Sequence, residues 1–212
     1  MSLAVVLHDV GDPDGGERWR AAAPGPHWEA PDLPGHGVAP APRNGAYDPS
    51  TPWTLARWRI EAHGIDGSLV VGVGQNALAA LMLACGEACE RVAVVDGLWG
   101  PWPVTPAARV DVMYDHILAV LADPPAWGPP PAAGLDPRAA HGYTIVATPR
   151  MIRRAWGAVA CPTLLVETPS SVTPPEERAE RSAWFGGPTT LVEVDADDPA
   201  TVLDAIAAWW GG

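Results

Sequence analysis

Asp9 follows directly on the all-apolar run Leu3 to Leu7 and opens the turn Asp9-Val10-Gly11-Asp12. A carboxyl shut away from water at the end of a buried strand has its pKa raised toward neutrality, where it can give or take a proton. Asp9 is therefore the candidate catalytic acid/base, although the same four residues also fit a plain Asx-turn. His8 and His36 adjoin glycine-bearing turns, a setting in which a hydrogen-bonded structural histidine is commoner than a catalytic one. Asp96 and Glu167 end two further apolar runs. Without a histidine partner Asp96 reads as structural, and Glu167 must either face the open end of its strand or meet an arginine. His116 lies at the edge of the stripe Val110, Met113, Ile117, Leu121, so it enters a pocket or flanks a helix in solvent. In His141-Gly142-Tyr143, Tyr143 could hold a ligand hydroxyl or carbonyl, or the segment is an ordinary loop. Of the eleven tryptophans, Trp99, Trp102, Trp127 and Trp156 fall in or beside one Pro-rich stretch. They suit an aromatic ligand wall or a small core of their own. Trp58, Trp209 and Trp210 read as packing residues, the terminal pair also hinting at a homodimer. Arg150, Arg153 and Arg154 form the one basic spot, equally suited to an anionic substrate and to a solvated helix face.

These groups are positioned by a chain of 212 residues, the size of one ordinary domain. Hydrophobic residues are 48% and charged residues 18%, enough apolar side chains for a substantial core and too many for a disordered chain. The net charge of −12, with every one of the 13 basic residues an arginine, would repel phosphate backbones and anionic lipid. Neither nucleic acid nor membrane is expected as a partner. No apolar run approaches the ~20 residues of a membrane span, and the N-terminus lacks the basic region of a signal peptide. Cys85, Cys89 and Cys161 fit free thiols in a reducing cytoplasm better than disulfides or a metal site. Gly72 and Gly74 lack the third glycine and acidic partner of a dinucleotide site, so no cofactor is expected.

The elements alternate. Strand-like runs cover Leu3 to Leu7, Leu69 to Val73, Arg91 to Val95, Thr163 to Val166 and Leu191 to Val194, and the segment His27 to Asp32 leads into the turn Leu33-Pro34-Gly35-His36-Gly37. Helices are predicted over 17–23, from an N-cap at Ser50 to about His63, over Ala77 to Ala84, near Ala107 to Leu121, after the capping box Thr173-Pro174-Pro175-Glu176, and after Asp198-Pro199. All-apolar strands alternating with helices imply a parallel sheet covered on both faces. Residues 1–98 and 151–212 would form one α/β core, with 99–150, rich in Pro and Trp, inserted as a lid.

Four segments of this plan resemble the α/β-hydrolase superfamily, particularly small lid-bearing bacterial esterases and C–C hydrolases. Val5-Val6-Leu7-His8-Asp9-Val10-Gly11 is similar to the family's strand and oxyanion turn. Ala30-Pro31-Asp32-Leu33-Pro34-Gly35-His36-Gly37 resembles its D-x-x-G-x-G turn and is the most specific match. Val70-Val71-Gly72-Val73-Gly74-Gln75-Asn76-Ala77 lies where the nucleophile elbow belongs, and Val94-Val95-Asp96-Gly97 resembles the strand end that follows. The resemblance implies an α/β-hydrolase fold with a mostly parallel sheet of about six strands, two fewer than usual. It also implies amides of Val10 and Gln75 at the site mouth, open to a carbonyl oxygen or an anion. Gly74, Gln75 and Asn76 would lie against a ligand there.

The departures bear on function. The elbow pattern G-x-S-x-G puts Gly74 at the nucleophile, where no acyl-enzyme can form. The expected acid position reads Glu167-Thr168-Pro169-Ser170-Ser171, and no histidine follows Val194. Asp9 replaces a glycine beside the oxyanion turn. Its negative charge ~4 Å from a developing oxyanion would cost about 4 kcal/mol at an effective dielectric near 20. Three functions are compatible with these residues. The first is a non-hydrolytic lyase, cyclase or isomerase acting on a hydrophobic carbonyl compound. The second is an inactive ligand-binding or scaffold protein, and the third a hydrolase with relocated groups.

Overall fold

The computed structural model describes residues 2–12, 14–44, 47–97, 139, 143, 149–171 and 173–211. Six strands form one all-parallel sheet: β1 (Ala4–Leu7), β2 (Trp28–Glu29), β3 (Leu69–Val73), β4 (Arg91–Val95), β5 (Thr163–Glu167) and β6 (Thr189–Glu193), in the order β2-β1-β3-β4-β5-β6. Among the described residues the helices are α1 (Gly16–Ala22), α2 (Thr51–His63), α3 (Ala77–Cys85), α4 (Pro149–Ala158), α5 (Pro175–Ser182) and α6 (Pro199–Trp210), with a 3₁₀ turn, Gly74–Asn76, between β3 and α3.

Alternate residues of each strand feed opposite layers, as the pleat requires. Val5, Leu7, Val70, Val92, Val94 and Leu165 pack with α2, α3 and Trp156 of α4. Ala4, Val6, Val71, Ala93, Leu164 and Val166 pack with Trp19 of α1 and with Val202, Leu203, Ile206 and Trp210 of α6. Both faces being covered is why these strands contain almost no polar residues. At the closing edge Trp28 meets Trp210 edge-on at 5.4 Å, and Arg91 donates to the Trp210 carbonyl at 3.0 Å.

Several local expectations are corrected. Trp58 is 66% exposed. The inward face of α2 is Pro52, Ala56 and Ile60, and a residue two positions from Ala56 points the other way round the helix. Ser50 makes no side-chain cap on α2, whose start is instead held by Asp48, which accepts from the Ser50 amide at 2.8 Å. The capping box before α5 does not form either. The cap position falls on Pro174, and the buried hydroxyl of Thr173 has no hydrogen-bond partner. At α6 the expected cap is present, Asp198 accepting from the Thr201 amide at 3.0 Å. Trp156 is buried in the main core, stacked on Phe185 at 5.1 Å, not in a lid. The expected helix near Ala107 to Leu121, with Trp127, lies outside the described residues.

The sheet order reverses beside β1. The chain leaves β1 toward one edge to build β2, then returns to build β3 on the other side, so the carboxyl ends of β1 and β3 flank the crevice where ligands of open α/β sheets bind. Gly72 sets how closely α3 approaches β3. A Cβ on it would lie 2.6 Å from the Asn76 carbonyl oxygen and 2.7 Å from atoms of Ala77 and Ala80. Gly72→Ala should therefore lower stability by about 1–3 kcal/mol, measured by urea unfolding. A midpoint unchanged from the wild type would show that α3 can move away freely.

Candidate functional site

The crevice at the strand reversal is built from three turns: 8–12 after β1, 33–37 after β2, and Gly74–Asn76 after β3. His8, fully buried, holds the first to the second. Its Nε2 accepts from the Leu33 amide at 3.3 Å, so the proton resides on Nδ1, which donates to the Asp9 carbonyl at 2.8 Å. Burial depresses the His8 pKa to about 4, with the nearby His36 ring adding in the same sense and the Asp9 carbonyl opposing. His36, also buried, donates from Nε2 to the Val10 carbonyl at 3.0 Å. Tyr143 closes the far side. Its hydroxyl donates to the Pro34 carbonyl at 2.8 Å, and its ring packs with Val10, Leu33 and Tyr47. Both histidines are thus framework groups of the turns they adjoin. Asn76 performs the same service for the third turn, its side-chain amide donating to the His8 carbonyl.

Asp9 lies where the three turns converge. Its Oδ1 accepts from the Gln75 amide at 3.2 Å, and the nearby amides of Val10 and Gly11 also favour its charged form. Burial raises its pKa above the ordinary carboxylate value even against these three donors. Rather than standing open to a ligand, the amides of Val10 and Gln75 therefore hold a carboxyl of the chain itself. The Asx-turn and the acid/base readings of Asp9 meet in one group, since the amides that cap the turn also fix the carboxyl.

Gly74 has φ +54°, the left-handed region that glycine tolerates best. A Cβ built there would fall 2.7 Å from Asp9 Cγ and 2.8 Å from each carboxyl oxygen. Asp9 thus fills the space that a side chain at position 74 would need. The sequence shows both departures, an acid for a glycine at position 9 and a glycine for a serine at position 74, but not that they compensate one another.

No family model matches the chain, and no curated protein matches it by sequence. Solved structures do match in fold. A thioesterase domain from the curacin biosynthetic pathway superposes with a TM-score of 0.68 at 15% identity, over 100% of this chain and 91% of that one. A bromoperoxidase from Bacillus anthracis gives 0.68 at 15% identity, over 100% and 93%. A hydrolase from Pseudomonas aeruginosa gives 0.65 at 18% identity, over 99% and 87%.

The chain has the α/β-hydrolase fold.

At the strand ends of this α/β-hydrolase fold, Asp96 also adopts a left-handed conformation, φ +52°. Its two oxygens grip Thr168 beyond β5, accepting from the amide and the hydroxyl at 2.8 Å each. Glu167, whose side chain is fully buried, accepts from the Ser171 hydroxyl and lies 3.6 Å from Arg178, which reaches on to Glu193 at 2.8 Å. Burial pushes its pKa up. Arg178 and Thr168 were not singled out in the sequence, where nothing local pairs them with carboxylates. Ser170 donates to Asp197 at 2.6 Å. An open cleft of about 630 Å³ lies elsewhere, beyond β2, between Arg20, Trp28, Val38, Leu55 and Arg59. Both of its arginines are engaged, Arg20 with Asp32 at 3.0 Å and Arg59 with Glu29 at 3.2 Å. Among the described residues no cluster of His, Cys, Asp or Glu could hold a metal ion, and no helix is long and apolar enough to cross a membrane. Trp99, Trp102, His116 and His141 lie outside the described residues. Arg153 lies over the Trp184 ring, 5.1 Å from its centroid.

Two outcomes follow from this geometry. Gly74→Ser forces either left-handed strain or displacement of Asp9 from its amides, and should cost about 1–3 kcal/mol. Adding Asp9→Gly should recover part of the loss. A double-mutant cycle in urea should give a coupling of about 1 kcal/mol or more, whereas additivity would mean the two groups do not compete. His8 supplies a pH dependence. Its folded pKa is depressed, so between pH 6.5 and 4 the unfolded chain binds a proton that the folded chain does not, and stability falls as pH falls through that window. The loss is about 3 kcal/mol. Asp9 and Glu167, with raised pKa values, act in the opposite sense. The test is accordingly the difference between wild type and His8→Gln, whose unfolding midpoint should vary less between pH 7 and 5.

Proposed function

We propose that this protein is a non-hydrolytic enzyme of the lyase, cyclase or isomerase type, with Asp9 as its general acid/base and a hydrophobic carbonyl compound as substrate. The reading is carried by one observation: a carboxyl with a raised pKa fills the space of a position-74 side chain, at the strand reversal where ligands of this architecture bind. A group with a pKa nearer neutrality can deliver a proton to a carbonyl oxygen or remove one from an adjacent carbon, and such transfer contributes on the order of 10²–10⁴-fold to rate. Hydrolysis through an acyl-enzyme would need a nucleophile, which Gly74 does not provide. Trp99, Trp102 and His116 are the proposed ligand contacts from the insertion, together with Gln75, whereas Asn76 and Tyr143 brace the turns behind it.

A second reading has its own support. The Gln75 amide is already engaged by Asp9, which favours a protein that holds a ligand without transforming it. The discriminating experiment incubates purified protein with a small-molecule extract of the cells that make it and follows the mixture by mass spectrometry. On the enzymatic reading a compound disappears as a product grows, with unchanged mass for an isomerase or cyclase. Asp9→Asn then lowers turnover about 100-fold or more while ligand affinity stays within a few-fold. A compound retained but never transformed establishes the binding reading. Covalent labelling by a fluorophosphonate would instead reveal a hydrolase with relocated groups, the activity in the names of several solved neighbours.

A further inference from the structure

The three cysteines gather on the side of the sheet away from Asp9, at the amino-terminal ends of β4 and β5. Cys85 ends α3, Cys89 lies in the turn leading into β4, and Cys161 lies two residues before β5. These approaches run side by side: β4 and β5 pair from Val92 opposite Thr163, and the Val92 amide donates to the Pro162 carbonyl at 3.2 Å. Cys89 is buried in the main core, and Cys85 and Cys161 pack against the same cluster, half-buried. The Cys89 and Cys161 thiols are close enough to shift one another's pKa, Cys89 upward and Cys161 downward. Cys85 is turned aside, its thiol donating to the Ala155 carbonyl on α4 at 3.0 Å.

We propose that Cys89 and Cys161 are an oxidation site that closes to a reversible disulfide, with a peroxide as oxidant. The neighbouring Cys89 thiol lowers the Cys161 pKa, and Cys161 is the less buried of the two. Its thiolate attacks the peroxide. An S–O bond forms, the O–O bond breaks, and the departing hydroxide is protonated to water, leaving a sulfenic acid. The neighbouring Cys161 sulfur is the largest cause of the raised Cys89 pKa, followed by burial. Oxidation of Cys161 removes that thiolate. The Cys89 thiol then gives up its proton, its sulfur attacks the Cys161 sulfur, and the S–O bond breaks to release a second water. Two thiols lose two electrons and two protons, and the peroxide is reduced to two waters. The disulfide would tie the start of β4 to the start of β5 and close the entire intervening insertion into one covalent loop.

The test uses the reduced full-length chain, treated with hydrogen peroxide, quenched with an alkylating agent and digested with trypsin. Cleavage after arginine leaves Cys85 and Cys89 together in peptide 60–91 and Cys161 in peptide 155–178. The expected product is a cross-link between these two peptides, lighter by two hydrogens, reversed by dithiothreitol, assigned to Cys89 by fragmentation and retained in Cys85→Ser. In Cys89→Ser a sulfenic acid trap such as dimedone should label Cys161 several-fold more than in the wild type. The proposal is overturned if no cross-link forms at any peroxide dose, if fragmentation assigns the link to Cys85, or if oxidation begins at Cys85 or Cys89. Fragmentation of the wild-type cross-link needs no substitution, so a misfolded variant leaves the test intact.

Discussion

The carboxyl of Asp9 and any side chain at position 74 compete for the same few ångströms at the carboxyl ends of β1 and β3. Much of the site follows from that exclusion. With glycine at 74 the carboxyl can reach the Gln75 amide across the strand reversal, joining two turns otherwise linked by the Asn76 side chain at the His8 carbonyl. His8 and His36 then tie this pair to the 33–37 turn through a backbone carbonyl and an amide, not through solvent. The framework is rigid because almost every polar group in it is satisfied by another turn, and a neutral, deeply buried His8 is the consequence.

The strands were legible because they are buried on both faces. A run such as Val70-Val71-Gly72-Val73 can hardly be anything else in a chain of this composition, and β4 occupies the predicted Arg91 to Val95. Helix starts were legible only where capping chemistry is local. Asp198, with extended backbone, caps α6, but Ser50 already has helical backbone and the cap position of α5 falls on Pro174, which has no side-chain acceptor, so neither expected hydroxyl caps its helix. Trp58 shows another limit. Hydrophobicity argued for burial, yet the face of α2 that packs is set by Pro52, Ala56 and Ile60, and Trp58 lies off it.

At the site, the residue types were visible and their relations were not. Asp9 and Val10 are far in sequence from Gly74, Gln75 and Asn76, and the parallel pairing of β1 with β3 brings the two groups together. Expecting the Val10 and Gln75 amides to be open treated Asp9 as a neighbour of the anion site rather than its occupant. An arginine partner for Glu167 was one of two expectations and is observed, but which arginine was not legible, because Arg178 comes from a separate helix, α5.

The charge state of Asp9 is decided by two opposed effects, of which burial is the larger. Three amide donors stabilise the carboxylate, and burial among the turns penalises it. An ordinary oxyanion site resolves that opposition by staying vacant until a transition state supplies the charge. Here the ionisable group is covalently attached, so the amides are preorganised for a carboxyl that never leaves. That arrangement can stabilise an anion formed on the protein side of a proton transfer, because the donors that hold the Asp9 carboxylate after it gives up its proton are already in place. It cannot do the same for an oxyanion formed on a substrate while Asp9 retains them. On the proposed function, proton transfer to or from Asp9 is the step these donors support.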